Sequence, residues 1–317
     1  MQNVYRALHE RLARNADVLG IDGRTLASGK GWQQLARFRP HIVHYVAGPS
    51  NKSVVLTAAI RLISRATATV MSSIHPVGIT PRVMRALAPD LMLTQAHDTE
   101  LFYQGLGIQT RYLPNGVAKQ RFTGVSEAER SQLRQQYGLP TARRIALHVG
   151  HLKRGRNVKD LVALQDSQTQ VLIVASPATQ PEPGVREELE NAGILVWTHY
   201  LPRIEDIYRM ADVYVFPVED RKHCIELPLS VMEAAAVGLP IITKAFGALP
   251  RIYAERRSFR YYAHPAQLPQ LMSEIQAPGG ELRRRTPDWD DVAQELFSIY
   301  EGLLSYSSKP SDAGKAA

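Results

Sequence analysis

Apolar positions along the chain switch repeatedly between helical spacing and short unbroken runs. Val4, Leu8 and Leu12 recur at helical spacing with charges between them, which predicts an opening helix. VLGID (18–22) predicts a short strand, and HIVHYVAG (41–48) a second strand running into a Gly-Pro turn. A helix from about Lys52, the strand ATVMSSIH (68–75), a helix near Pro81 and the strand LMLTQ (91–95) extend the series. The turn LPNGV (113–117) and the polar helical stretch SEAERSQLRQQYGLP (126–140) interrupt it. The pattern then restarts. RIALHVG (144–150) reads as a strand entering a basic, glycine-containing loop, VKDLVAL as a helix, and QVLIVAS (170–176) and GILVWTHY (193–200) as strands. IEDIYRMA is a helix, VYVFPV a strand and PIIT (240–243) another strand.

Strand and helix in alternation predict parallel sheets covered on both faces. The expected fold class is α/β with two Rossmann-like domains: an N-terminal one over 1–125, a C-terminal one over 140–285, and a cleft between them as the default ligand site. DWDDVAQELFSIYEGLLS predicts a long amphipathic helix within 286–306, and the polar tail 307–317 predicts disorder.

Composition narrows this picture. The chain has 317 residues with 44% apolar positions, enough for two cores. Its net charge of +8 points to an acidic partner: a phosphorylated small molecule, an anionic membrane surface or nucleic acid. The basic residues read as dispersed, and no aromatic-interleaved patch or known module appears, so nucleic acid is the weakest of the three. A single cysteine, Cys224, excludes a disulfide framework and suits a reducing, cytoplasmic location, where it reads as a small buried hydrophobe. The longest apolar stretch, 54–71, is interrupted by Arg61 and Arg65 and does not span a bilayer.

The segment CIELPLSVMEAAAVGLPIIT (224–243) carries the candidate chemistry. Pro228 suits a helix start, and Gly238 with Pro240 suits its end. The backbone amides of Leu229, Ser230 and Val231 then lie in a first turn without intrahelical partners, which is a phosphate site in waiting. Glu226 stands just before that turn and Glu233 lies inside the helix. A carboxylate can take two hydroxyls at once, such as those of a ribose or a sugar ring. On spacing alone the plainer reading makes Glu233 an exposed helix residue and Glu226 a partner of the helix dipole.

LPLSVMEAAAVGLPIIT resembles the C-terminal-domain signature of the family 4 glycosyltransferases, retaining enzymes of the GT-B architecture, in which two Rossmann-like domains with parallel sheets face each other across a cleft. Met232 through Pro240 match the family's Leu-Glu-Ala-Met-Ala-x-Gly-x-Pro. The resemblance implies that Glu233 takes the donor ribose hydroxyls and that Glu226 faces the donor sugar. Seven residues usually separate the two acids; here six do, and Ile225 occupies the expected place of the first. HVGHLKRGRNVKDLV (148–162) resembles the family's Gly-Arg-Leu loop, with Gly150 at the Gly, His151 at the Arg and Arg156 at the Lys position. In the family those two cations hold the donor diphosphate. Further ordered matches (LPNGVAKQRF, YLPRIEDIYRMADVYVFPV, TKAFGALPRI and the last helix, which in the family packs back on the first domain) extend the resemblance over roughly 110–305.

His44 and His75 lie near the C-terminal ends of predicted strands, where such sheets bind ligands. The family's first domain supplies a His to the donor sugar from a similar place, and His75 is the candidate. Asp288-Trp289-Asp290 has the spacing of an acidic metal pair but precedes a helix, where Asp is a common cap, and no metal is expected. The family's first domain opens on a strand and a Gly-rich loop; this chain opens on a helix, so that first strand is expected to be missing. The resemblance implies transfer of a sugar from a UDP- or GDP-linked donor to a hydroxyl of a glycan or lipid-linked acceptor, without a cofactor. The basic balance fits an anionic donor and a lipid-linked acceptor, with a cytoplasmic protein associated peripherally at the inner membrane face. The alternatives are a GT-B sugar-nucleotide epimerase and a non-catalytic partner protein.

Overall fold

A computed structural model describes residues 2–75 and 79–307. The expected disordered tail lies outside them, except Ser307, which ends the last helix. The chain forms two compact units, one of Met1–Asn115 with Trp289–Ala317 and one of Gly116–Asp288.

The first unit is built on a four-stranded parallel sheet in the order β1 (Ile42–Gly48), β2 (Ala68–Ser73), β3 (Leu91–Thr94), β4 (Thr110–Tyr112). Its helices are α1 (Gln2–Leu12), α2 (Gly23–Ala27), α3 (Lys30–Phe38), α4 (Asn51–Ser64), α5 (Pro81–Ala86), α6 (His97–Gly105) and the C-terminal helix Trp289–Ser307. Successive residues of a strand point to opposite faces, and the two faces carry different partners. Met71 and Met92 pack with Val54 of α4, Met84 of α5 and Tyr103 of α6. On the other face, Ser72 and Leu93 share a small cavity with Val4 and Leu8 of α1 and with Trp289 and Val292 of the C-terminal helix. That helix is tied to α1 by Arg11, whose Nε lies 2.7 Å from Asp290.

VLGID is not a strand. Residues 18–22 run as irregular chain, and Asp22 caps α2 instead, accepting from the Thr25 amide at 2.7 Å. An apolar run becomes a strand only beside a pairing partner, and this one has none.

His44 is a structural tie on the second face. Its Nδ1 meets the Tyr300 hydroxyl at 2.6 Å and its Nε2 meets Ser72 Oγ at 2.7 Å, so both ring nitrogens are in use. Burial lowers its pKa from 6.5 to about 4. Between these values the unfolded chain binds a proton that the folded one refuses. The tie is therefore at full strength above pH 6.5 and weakens as pH falls to 4, by about 2–3 kcal/mol in all. His44→Gln should flatten the loss of urea stability between pH 6.5 and 4; an unchanged acid slope would refute this role.

The second unit holds a six-stranded parallel sheet of β5 (Arg144–Val149), β6 (Thr169–Val174), β7 (Leu195–Trp197), β8 (Val213–Phe216), β9 (Ile241–Thr243) and β10 (Phe259–Tyr261), in the order β10-β9-β8-β5-β6-β7. Its principal helices are α7 (Glu127–Gln136), α8 (Val185–Asn191), α9 (Ile204–Met210) and α10 (Leu229–Val237). The chain moves outward from β5 to β7, then returns to β8 beside β5 and moves outward the other way. The strand order thus reverses between β5 and β8, and in open α/β sheets ligands bind at the carboxyl ends of the strands at such a reversal.

The units divide after Asn115, so α7 belongs to the second unit rather than lying at a boundary. Buried Arg134 anchors it, donating to Asp212 at 2.6 Å and to the Met210 carbonyl at 2.8 Å, while Asp212 also accepts from the Ile145 amide of β5. VKDLVAL forms a 3₁₀ helix, Val158–Leu164, entered through Asn157 at φ 54°. Among the described residues, no helix is long and apolar enough to cross a membrane.

Candidate functional site

The loops leaving β5 and β8 meet at the reversal point. The β8 loop ends in α10, which starts at Leu229 with Pro228 as its N-cap. Proline offers no side chain to cap the first turn, so the amides of Leu229, Ser230 and Val231 keep their donors free of intrahelical partners. Gly238, at φ 91°, closes the helix in the left-handed conformation. Leu229, Ser230 and Glu233 are its only incompletely buried residues, and their spacing puts them on one face. The free amides and the acid therefore open together.

Glu233 does not point into bulk water. Its Oε2 accepts from the Tyr208 hydroxyl of α9 at 2.7 Å. Burial raises its pKa from 4.5 to about 7, against the lowering effect of Tyr208. Burial also raises the Tyr208 hydroxyl well above its ordinary range, so the phenol stays a donor. Tyr214 of β8 sits beside both, hydrogen-bonded to the Ser230 side chain and donating to the Val149 carbonyl at 3.3 Å.

The β5 loop supplies the cation. Arg156, 5% exposed, lies in the 3₁₀ turn Arg154–Arg156. Its Nη1 donates to the His223 carbonyl at 3.2 Å, and its Nη2 lies 3.8 Å from Cys224 Sγ. Its buried Nε has no partner, and no carboxylate stands within ion-pair distance among the described residues. Gly150 makes room for it: a Cβ there would stand 2.6 Å from His148 Nε2 and 3.1 Å from Arg156 Nη2. His151 is half-buried, with its Nδ1 unpartnered; burial first, then Arg156 and Lys153, lower its pKa. It is therefore a neutral hydrogen-bonding group at pH 7.

Glu226 is enclosed, with its side chain 1% exposed and Arg221 Nη1 3.7 Å away. Its carbonyl accepts from the Ala248 amide at 2.8 Å, and a Cβ on Gly247 would stand 2.2 Å from that same oxygen. Only a glycine fits there, which accounts for the glycine in TKAFGALPRI. His75 belongs to the first unit. It is half-buried just past β2, with a buried Nδ1 that has no partner among the described residues. The Asp288–Asp290 pair is occupied otherwise: Asp288 accepts from the Lys119 amide at 3.2 Å, and Asp290 pairs with Arg11.

The sequence pattern did not single out His148, Tyr208 or Tyr214. His148 is fully buried in β5, donating from Nδ1 to the Val215 carbonyl at 2.9 Å, with Nε2 unpartnered beside Arg156. Burial, reinforced by Arg156, lowers it to about 3. The sequence signal was a lone polar residue at an inward position of RIALHVG. The tyrosines gave none, because their contacts to α10 cross many residues of chain.

Residues 143–276 match the family described as glycosyl transferases group 1. A putative teichuronic acid biosynthesis glycosyltransferase, TuaC of Bacillus subtilis (strain 168), is 28% identical over 157 residues, 48% of this chain and 37% of that protein. D-inositol 3-phosphate glycosyltransferase of Corynebacterium urealyticum is 25% identical over 233 residues, 65% of this chain and 54% of that one. The chain thus spans between about a third and about half the length of the curated relatives it matches. Among solved structures, sucrose-phosphate synthase from Thermosynechococcus elongatus superposes with a TM-score of 0.74 at 20% identity, over 96% of this chain and 94% of that one. Anabaena Alr3699/HepE in complex with UDP-glucose gives a TM-score of 0.63 at 15% identity, over 92% and 85%.

Proposed function

This chain has the GT-B fold of the group 1 glycosyl transferases, and from that premise we propose that it transfers a sugar from a nucleoside diphosphate donor to a hydroxyl group, with retention at the anomeric carbon. One observation carries the reading. A buried arginine without a carboxylate partner among the described residues and a helix start whose amides lack intrahelical partners converge where the strand order reverses, beside a half-buried acid. Each is a cost to the ligand-free fold that a nucleotide sugar offsets: the diphosphate takes Arg156 and the amides of Leu229, Ser230 and Val231, and the ribose hydroxyls take Glu233. His151 adds a hydrogen bond to the diphosphate beside Gly150. Glu226 and His75 are the proposed contacts to the transferred sugar.

In the reaction the bond from the anomeric carbon to the diphosphate oxygen breaks, and the acceptor oxygen bonds to that carbon on the same face. The acceptor proton passes to the departing phosphate, so no separate base is required. Arg156 and the helix amides hold the charge that grows on the leaving group. The donor is a uridine or guanosine diphosphate sugar, and the acceptor a glycan or lipid-linked hydroxyl in the cytoplasm. Thermal-shift titration with nucleotide sugars tests the binding, and product analysis with a labelled donor tests the transfer. One nucleotide series should stabilise the protein, and label should appear on the acceptor. Turnover of a nucleotide sugar to its epimer without any acceptor would replace the proposal with the epimerase reading.

A further inference from the structure

The lysines and arginines are spread along the chain, but the acids are not. Between Gly23 and Pro89 there are nine Lys and Arg and no Asp or Glu, while the whole chain carries a net charge of +8. The remainder is therefore close to neutral, and the positive charge of the protein is concentrated in one part of its first unit, which corrects the dispersed reading of the sequence.

Helix α4 lies in that segment between α3 and α5, and it is apolar on both sides. Val54, Thr57 and Ile60 are buried against the sheet. On the outer side, Val55 is 50%, Leu62 79% and Ile63 51% exposed. Val55 and Leu62 are two turns apart on one stripe, and Ile63 adjoins it. Phe38, at the end of the neighbouring α3, is exposed as well and stands between Arg37 and Arg39. Lys52, Arg65, Arg82 and Arg85 are exposed on α4, its C-cap and α5, and none of them forms an ion pair among the described residues. Arg61 alone is neutralised, by Asp90 at 2.8 Å. A helix with an apolar stripe on its outer side as well as its inner one implies a cover there, and here unpaired cations lie on the same helix, at its C-cap and on the two neighbouring helices.

We infer that the outer surface of α3, α4 and α5 docks on an anionic lipid bilayer, with Leu62, Ile63 and Val55 entering the interface and the surrounding arginines meeting acidic headgroups. Charge selects this occupant. A second copy would bring two like-charged surfaces together, and nucleic acid would leave Leu62 and Ile63 without a partner. The inference rests on this surface and is independent of the donor site.

Co-sedimentation of the full chain with vesicles tests it. The protein should bind phosphatidylcholine vesicles containing one-third phosphatidylglycerol, should leave them at high salt, and should ignore pure phosphatidylcholine. Leu62→Asp should weaken binding about tenfold or more. Arg37→Gln and Arg39→Gln should each weaken it about fivefold. All three side chains are exposed, so unchanged melting temperatures and unchanged nucleotide-sugar binding should accompany the loss. Vesicle binding that ignores all three substitutions, or tighter binding to duplex RNA that Leu62→Asp leaves intact, overturns the inference, as does concentration-dependent dimerisation abolished by Leu62→Asp.

Discussion

Glu233→Gln is expected to stabilise the ligand-free protein above pH 7 while weakening nucleotide-sugar binding about ten- to a hundredfold. The two effects have one cause. Burial raises Glu233 from 4.5 to about 7, so the folded protein keeps a proton that the unfolded chain releases. Stability from this group is therefore greatest below pH 4.5, declines as pH rises to 7, and stays reduced above it. Glutamine removes that decline, a gain of about 1–3 kcal/mol at pH 8 and none at pH 4. It retains an acceptor for Tyr208 but not the ionised oxygens proposed to take the two ribose hydroxyls. Wild-type affinity should accordingly rise as pH passes 7, and the variant's should not. Urea unfolding at both pH values and calorimetric titration with the donor separate the two effects. Unchanged affinity in the variant would remove Glu233 from the donor site.

Much of this arrangement was legible in the sequence because it is local. The helix at 229–237 is bounded by a proline and a glycine whose backbone preferences act within a few residues, and eight of the ten strands followed from runs of apolar residues, whereas β4 (Thr110–Tyr112) and β10 (Phe259–Tyr261), three residues each with an arginine in the middle, have no such run and were not foreseen. VLGID failed because its apolar residues are locally indistinguishable from those of a strand; what it lacks is a neighbouring strand, which is a long-range property. The division after Asn115 was hidden for the same reason, since Arg134 finds Asp212 only in the fold. The charge of the site was hidden most deeply. Nothing near Glu233 in sequence announces Tyr208, and nothing near Arg156 announces that no carboxylate among the described residues meets it. Motif spacing locates charged groups; whether they are paired is settled by residues far along the chain, and here that pairing carries the functional reading.

Arg156→Met is expected to lower kcat/KM for the nucleotide sugar about 10²- to 10³-fold, because it removes the cation proposed to hold the leaving diphosphate. It should do so without unfolding the protein. The guanidinium is buried with a carbonyl and a thiol for company and, among the described residues, no acid, so its loss removes a desolvated charge along with two weak hydrogen bonds. Methionine fills much of the same volume with an apolar chain. The discriminating measurement compares two ligands that differ only in charge. A nucleoside diphosphate should bind the variant far more weakly than the wild type, whereas the uncharged nucleoside should bind both alike. Arg156→Lys should recover part of the diphosphate affinity but not all of it, since an ammonium supplies the charge without the planar fork. Equal weakening of nucleoside and diphosphate would mean that Arg156 merely supports the loop through the His223 carbonyl, and the anion site would then reduce to the amides of α10.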